Sequence, residues 1–270
     1  LAPPAGARVE DLRAAEHPGL NRYTETRGLP ELLDALALKL RLRNGFAAER
    51  ESVLVTAGAT AGLGCALAAL ADPGDEVLIL APFWPLIRGI ALAFGAVPVE
   101  VPFFDRVHSV GEALAAIRAQ LGPRSVALYL SSPSNPSGRV LPRAWLEAIA
   151  ELARRENLWL LSDEVYEDYV YRGEHVSLLS LAPERSIGAF SFSKAYGMAG
   201  NRIGYLAGPA PQIALAHRFG SHSYYCAPAP SQRAALGALR EGAGWVAEAR
   251  RLYAEVGAEA ARRLGLPAPE

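Results

Sequence analysis

The feature that most constrains this chain is an alternation of short β-rich runs with longer helical ones, sustained from residue 53 to residue 206. The runs 53–55, 76–80, 97–101, 126–130, 158–161, 186–190 and 203–206 are rich in β-branched and aliphatic residues and read as strands. Strands separated by helical segments imply a parallel sheet joined by crossovers. Most of these runs lack the polar–apolar alternation of a strand with one wet face, so the sheet is expected to be covered on both sides. The predicted class is α/β: a three-layer α/β/α large domain around a mainly parallel seven-stranded sheet.

Helix signals fill part of the pattern. Residues 30–43 begin with proline at a first-turn position and stop before Asn44-Gly45, and residues 142–156 repeat the device. From Pro230 the chain is rich in Ala, Leu, Glu and Arg and reads as one long helix, or two broken near Gly242 and Gly244. Such a helix commonly leaves the main domain. The expected organisation is an N-terminal segment 1–29, a large domain 30–229, and a long helix 230–270 that opens a C-terminal small domain largely absent from the chain.

Composition narrows the partners. With 51% hydrophobic residues, 20% charged and a formal charge of -1, neither disorder nor a polyanion-binding surface is favoured, so nucleic acid is not an expected partner. The uncharged stretch 53–71 is long enough to span a bilayer. Its glycines Gly58, Gly62 and Gly64, the Thr56 and Thr60 hydroxyls and the turn at 72–75 divide it into strand, bend and helix, so no membrane is expected. Cys65 and Cys226 are far apart and fit a reducing compartment, the cytoplasm by default. The five histidines show no ligand spacing and read as structural or surface groups, with no metal expected. Glu164 and Glu167 read as surface or helix-start charges. No Gly-x-Gly-x-x-Gly or Walker pattern is present.

The basic residues are almost all arginine, leaving Lys39 and Lys194 as the two lysines. Lys194 follows a strand in the segment Ser191-Phe192-Ser193-Lys194-Ala195-Tyr196-Gly197, with Arg202 eight residues later. A partly neutral amine there can form a Schiff base, and hydroxyls with a guanidinium suit a phosphate. The bend 56–62, Thr-Ala-Gly-Ala-Thr-Ala-Gly, is built of residues small enough for backbone amides to approach an anion at a helix start.

The spaced set Ser-x-Ser-Lys followed by Gly-Asn-Arg-Ile-Gly-Tyr, with Asn135-Pro136-Ser137-Gly138, Ser162-Asp163-Glu164-Val165-Tyr166 and Tyr23 upstream of Gly28-Leu29-Pro30-Glu31-Leu32, is similar to the class I/II aminotransferases. These are pyridoxal 5'-phosphate enzymes of fold type I. The resemblance implies that Lys194 holds the cofactor as a Schiff base and then moves the substrate's α-proton. It implies that Asp163 pairs with the pyridine nitrogen, where its residues alone also fit a helix N-cap. Tyr166 and Asn135 match the pair that hydrogen-bonds the cofactor's phenolic oxygen, although Asn-Pro-Ser-Gly alone is a plain turn. Ala59, Thr60, Ser191, Ser193 and Arg202 match the phosphate ligands. Trp84 matches the aromatic that stacks on the ring, with a core role as its alternative and Phe83 as its rival. Tyr23 matches a tyrosine that reaches the phosphate of the neighbouring subunit, implying a homodimer with shared active sites.

The implied activity is transfer of an amino group between an amino acid and a 2-oxo acid. A C-S β-lyase, a decarboxylase or a synthase of the same fold is the alternative, and a non-catalytic sensor domain a more distant one. The chain departs from the pattern in two places. No segment matches the arginine that grips the substrate α-carboxylate. Thr60 stands where one aspartate-specific subgroup has a lysine, and Trp84 with Tyr224-Tyr225 leaves aromatic or neutral amino acids open.

Overall fold

A computed structural model describes residues 3–4, 6–9, 12–13, 16–17 and 19–270. Of the expected N-terminal segment 1–29, residues 1, 2, 5, 10, 11, 14, 15 and 18 lie outside the described residues. The seven strands are β1 (Val53–Thr56), β2 (Glu76–Ala81), β3 (Val97–Pro102), β4 (Ser125–Ser131), β5 (Trp159–Asp163), β6 (Ser186–Ser191) and β7 (Gly204–Ala207). They form one sheet in the order β1-β7-β6-β5-β4-β2-β3, parallel except for β7, which runs antiparallel to both β1 and β6. Six of the seven runs became strands with two dry faces, whereas β3, at the edge of the sheet, buries only Val101 and leaves Val97 and Glu100 exposed. Val53 and Val55 face one core while Leu54 faces another, and Leu78 and Leu80 divide from Val77 and Ile79 in the same way.

Helices supply the outer layers. The helices α2 (Gly58–Leu70), α3 (Leu86–Ala93) and α8 (Ala210–Ser223) cover one face, burying Leu63, Leu67, Ile87 and Ile213 against it. The opposite face is covered by α4 (Val110–Ala119), α5 (Arg143–Arg155) and the short α6 (Leu178–Leu181) through Ile117, Leu146, Ile149 and Leu178. At the β1 end, α1 (Pro30–Arg43) lays Leu32, Leu36 and Leu40, one helical stripe, onto Val53, Val55 and Tyr205. The 53–71 stretch is β1 and α2, and no helix among the described residues is long and apolar enough to cross a membrane.

Pro30 starts α1 as expected, whereas Pro142 stands one residue before α5, at its N-cap. The C-terminal helix divides at Gly242 into α9 (Ala229–Glu241) and α10 (Ala243–Leu264). Ala234, Ala235 and Leu236 of α9 pack into the same core as α1, while α10 buries only Ala249 and Ala261. A four-residue helix, α7 (Phe192–Ala195), follows β6 directly.

Candidate active site

Parallel strands deliver their carboxyl ends to one edge of the sheet, where ligands of open α/β sheets bind. Here that edge receives the bend after β1, Trp84 after β2, Asn135 after β4, Asp163 at the end of β5 and Ser191 at the end of β6. The single reversed strand adds the remaining piece. Because β7 enters from this edge, Arg202 just ahead of it arrives beside Ser191, whose register partner is Gly204. A parallel β7 would have placed Arg202 at the far end of the sheet.

These elements enclose a cavity of about 160 Å³ lined by Ala59, Thr60, Trp84, Asn135, Asp163, Tyr166, Ser191, Ser193, Lys194 and Arg202, with Leu63, Val165 and Ala199. Ten of the eleven site residues expected from the sequence therefore meet in one place. On the side of Asn135, Tyr166, Ser193 and Lys194 the cavity adjoins a groove of about 900 Å³. A groove of similar size between α1, α9 and α10 holds no such constellation.

One end of the cavity is built for an anion. Ala57 stands at the N-cap of α2 and gives it no side-chain cap, so the helix opens with uncapped N–H groups and its positive dipole end. Gly58 adopts φ 83°, and a Cβ there would lie 2.6 Å from Nη2 of Arg202. Gly204 is equally constrained, since its Cβ would lie 2.7 Å from the amide nitrogen of Ala59. Both glycines let backbone and guanidinium draw together around one small volume. Arg202 itself sits in the left-handed region at φ 49°, ψ 57°, at a cost of about 1 kcal/mol, and its Nη1 donates to the carbonyl of Ala199 at 2.9 Å. Backbone strain of this kind gathers at ligand clamps. The Ser191 hydroxyl accepts from the amide of Ser193 at 3.1 Å, which fixes the turn into α7.

Asp163 lines another part of the wall. It is the last residue of β5, and no helix follows it, so it caps none. Its carboxyl is buried, accepting from the Tyr129 hydroxyl at 2.7 Å and from the Val165 amide at 3.3 Å. Burial pushes its pKa up to about 6, against the opposing pull of those two donors and of the Lys194 charge. Lys194 Nζ lies 5.7 Å from the ring centroid of Tyr166, and no carboxylate among the described residues is within ion-pair distance of it. The Tyr169 hydroxyl donates to the Lys194 carbonyl at 3.0 Å. Lys39, in contrast, is ion-paired with Glu167 and lies over the Phe190 ring at 4.6 Å.

Three sequence expectations are corrected. Glu164 is not a surface charge: it is 1% exposed, accepting from the Ser162 and Ser177 hydroxyls at 2.9 Å each and pairing with Nε2 of His175 at 2.9 Å. Glu167 is mostly covered too, between Lys39 and Nδ2 of Asn44. The reason is strand alternation, which turns Glu164 to the face of the sheet opposite Asp163. Tyr224 and Tyr225 do not join Trp84 in the cavity. Tyr224 turns into the core beside Cys65, and Tyr225 packs edge-on against Tyr23 with centroids 5.0 Å apart. Tyr23 is 82% exposed and lies outside the cavity of its own chain.

Sequence reasoning missed Tyr129. The available signal was a lone tyrosine in an otherwise aliphatic buried run two register positions before Asp163's partner, Ser131.

The donor set fits pyridoxal phosphate: an uncapped helix start with Arg202 and two serines for a phosphate, a buried carboxylate for a ring nitrogen, an indole alongside, and an amine without an ion-pair partner. Comparison with known proteins points the same way. The profile of the family described as aminotransferase class I and II matches residues 2–265. A probable aspartate/prephenate aminotransferase of Thermus aquaticus is 38% identical over 262 residues, covering 95% of this chain and 68% of that protein. The aspartate/prephenate aminotransferase of Thermus thermophilus is 37% identical, covering 94% of this chain and 64% of its own length. The arginine–pyruvate transaminase of Pseudomonas aeruginosa is 38% identical over 88% of this chain and 60% of its own length. The solved structure of the Thermus thermophilus aspartate aminotransferase with maleate superimposes with a TM-score of 0.91 at 34% identity, covering 100% of this chain and 72% of that one. The chain thus spans roughly two thirds of the length of these relatives.

Proposed function

Because the chain belongs to the class I and II aminotransferase family, we propose that it carries the cofactor-binding machinery of a pyridoxal-phosphate-dependent aminotransferase, moving an amino group between an amino acid and a 2-oxo acid. The observation that carries this reading is the meeting of Lys194, Asp163 and an anion cradle in one small cavity that opens toward a wider groove.

Each residue then has a task. Lys194 Nζ would anchor pyridoxal phosphate as a Schiff base. The amides at the start of α2, Thr60, Ser191, Ser193 and Arg202 would hold its phosphate. Asp163 would accept a hydrogen bond from the ring nitrogen, Trp84 would stack on the ring, and Asn135 and Tyr166 would bond its phenolic oxygen. When bound, the cofactor supplies an electron sink for the substrate's α-carbon. Lys194 Nζ would also be the base that takes the substrate's α-proton, and its turn is held by the Tyr169 bond to its carbonyl.

The exposed Tyr23 supports a homodimer in which it reaches the partner's phosphate site. Mixing Lys194→Ala chains with Tyr23→Phe chains tests this, since shared sites would restore part of the activity lost in each. The two free thiols, Cys65 and Cys226, support a cytoplasmic location.

The reaction itself is tested by supplying candidate amino acids with and without a 2-oxo acid acceptor. Amino-group transfer that requires the acceptor supports transamination. Release of ammonia and pyruvate without an acceptor would replace it with a lyase.

A further inference from the structure

Asp163 ends β5 on the cavity side of the sheet, and Tyr129 lies on the neighbouring strand β4 in register with Leu161. Side chains two residues apart on a strand share a face, so Tyr129 projects on the same side as Asp163. Tyr129 is 1% exposed, and its hydroxyl donates to Oδ2 of Asp163 at 2.7 Å. Its run is otherwise aliphatic, Val126-Ala127-Leu128 before it and Leu130 after it, and a phenylalanine would fill the same space. A buried tyrosine hydroxyl needs a partner, and this one has taken the carboxylate.

We propose that Tyr129 is a positioning residue for Asp163, holding the carboxylate anionic and in one orientation toward the ring nitrogen of the cofactor. The inference rests on the reading that this cavity binds pyridoxal phosphate, and assigns to Tyr129 a part that the resemblance did not supply. A neutral O–H donor stabilises the charged form of an acid and leaves the protonated form no better off. The other groups that bear on the carboxylate are Glu164, which follows it and disfavours its charge, the Lys194 amine from α7, which favours it, and the Val165 amide. Tyr166 is the further group beside the Tyr129–Asp163 pair. Against burial and Glu164, Tyr129 supplies the shorter of the two hydrogen bonds on the carboxylate. With that donor gone, the acid would hold its proton to higher pH, and its grip on a protonated ring nitrogen would loosen.

Tyr129→Phe tests this with two independent readings on the full chain, after its circular dichroism and melting curve have shown it folded. The first uses protein freed of cofactor and labelled with ¹³C at the aspartate carboxyls, the Asp163 signal being the one missing in Asp163→Asn. Its midpoint should rise by about one to two pH units in Tyr129→Phe. The second titrates the ring nitrogen of ¹⁵N-labelled pyridoxal phosphate in the holoenzyme. That midpoint should fall in Tyr129→Phe, with cofactor bound about tenfold more weakly at pH 8. In the wild-type chain, which needs no variant to fold, the Tyr129 ¹³Cζ signal should titrate with the Asp163 midpoint. An unchanged Asp163 midpoint in Tyr129→Phe, or a Tyr129 signal blind to Asp163, overturns the assignment even where pyridoxal phosphate binds normally. Failure of the wild type to bind pyridoxal phosphate would instead overturn the functional reading, whatever the carboxyl titration shows.

Discussion

Asp163 and Glu164 are adjacent, acidic and both buried, yet they serve opposite sides of the sheet. Glu164 joins a closed network in which Ser162, Ser177 and His175 satisfy its oxygens, and Lys39 with Asn44 does the same for Glu167 nearby. Asp163 faces a cavity, with Tyr129 and a longer bond from the Val165 amide as its donors, and burial raises its pKa. The two lysines divide likewise, Lys39 into the network and Lys194 into the cavity. A buried charge with its partners present holds a fold together. One held short of partners beside a cavity implies a ligand that completes it.

Lys194→Ala should break the cavity side outright, abolishing transamination while leaving the melting temperature near wild type, as steady-state assays and calorimetry would show. Asp163→Asn should come next, lowering kcat/KM about a thousandfold, or about 4 kcal/mol of transition-state stabilisation. Near wild-type turnover in either variant would remove the distinction between the two regions.

The pH dependence of the cofactor-free chain sharpens the comparison. The folded pKa of Asp163, about 6, lies above its unfolded value near 4, so proton binding favours the folded state. Its burden on stability is absent below about pH 4, grows between about pH 4 and 6, and reaches about 3 kcal/mol above that. Denaturant titrations of wild type and Asp163→Asn should therefore diverge over that window, the variant being the more stable at neutral pH.

Glu164→Gln should act in the opposite sense, destabilising the chain by about 1–3 kcal/mol by disturbing a satisfied buried acceptor, while the folded fraction retains its cofactor affinity. Chemical denaturation and cofactor titration separate the two effects. The smallest effect belongs to His175. Burial lowers its pKa, but the Glu164 hydrogen bond and charge outweigh that and hold it above the ordinary value. Its pairing stabilises the fold fully below about pH 6.5 and is lost as pH rises through the folded value, so the gap between wild type and Glu164→Gln should narrow there.

The parts legible in the sequence were those set by local pattern. Most apolar runs without alternation became doubly covered strands, Pro30 and Asn44 bounded α1, and the rarity of lysine singled out Lys194. What stayed hidden depends on pairing between distant strands. Tyr129 meets Asp163 only through the β4–β5 register, and Arg202 reaches the cavity only because β7 is reversed. The burial of Glu164 was within reach, because a strand ending at Asp163 must turn the next residue to its other face. Its partners Ser177 and His175, on the loop that follows, were not. Tyr224 and Tyr225 show the reverse error, where aromatic composition gave no direction and packing against Cys65 and Tyr23 supplied it.

The most direct measurement is borohydride reduction of the protein with pyridoxal phosphate, followed by peptide mass spectrometry. The chain offers two lysines, one in each region, so the result is close to binary. A pyridoxyl group on Lys194, with Lys39 unmodified, is the expected outcome. An adduct on Lys39, or no adduct on folded protein at saturating cofactor, would contradict the assignment of the cavity as the cofactor site.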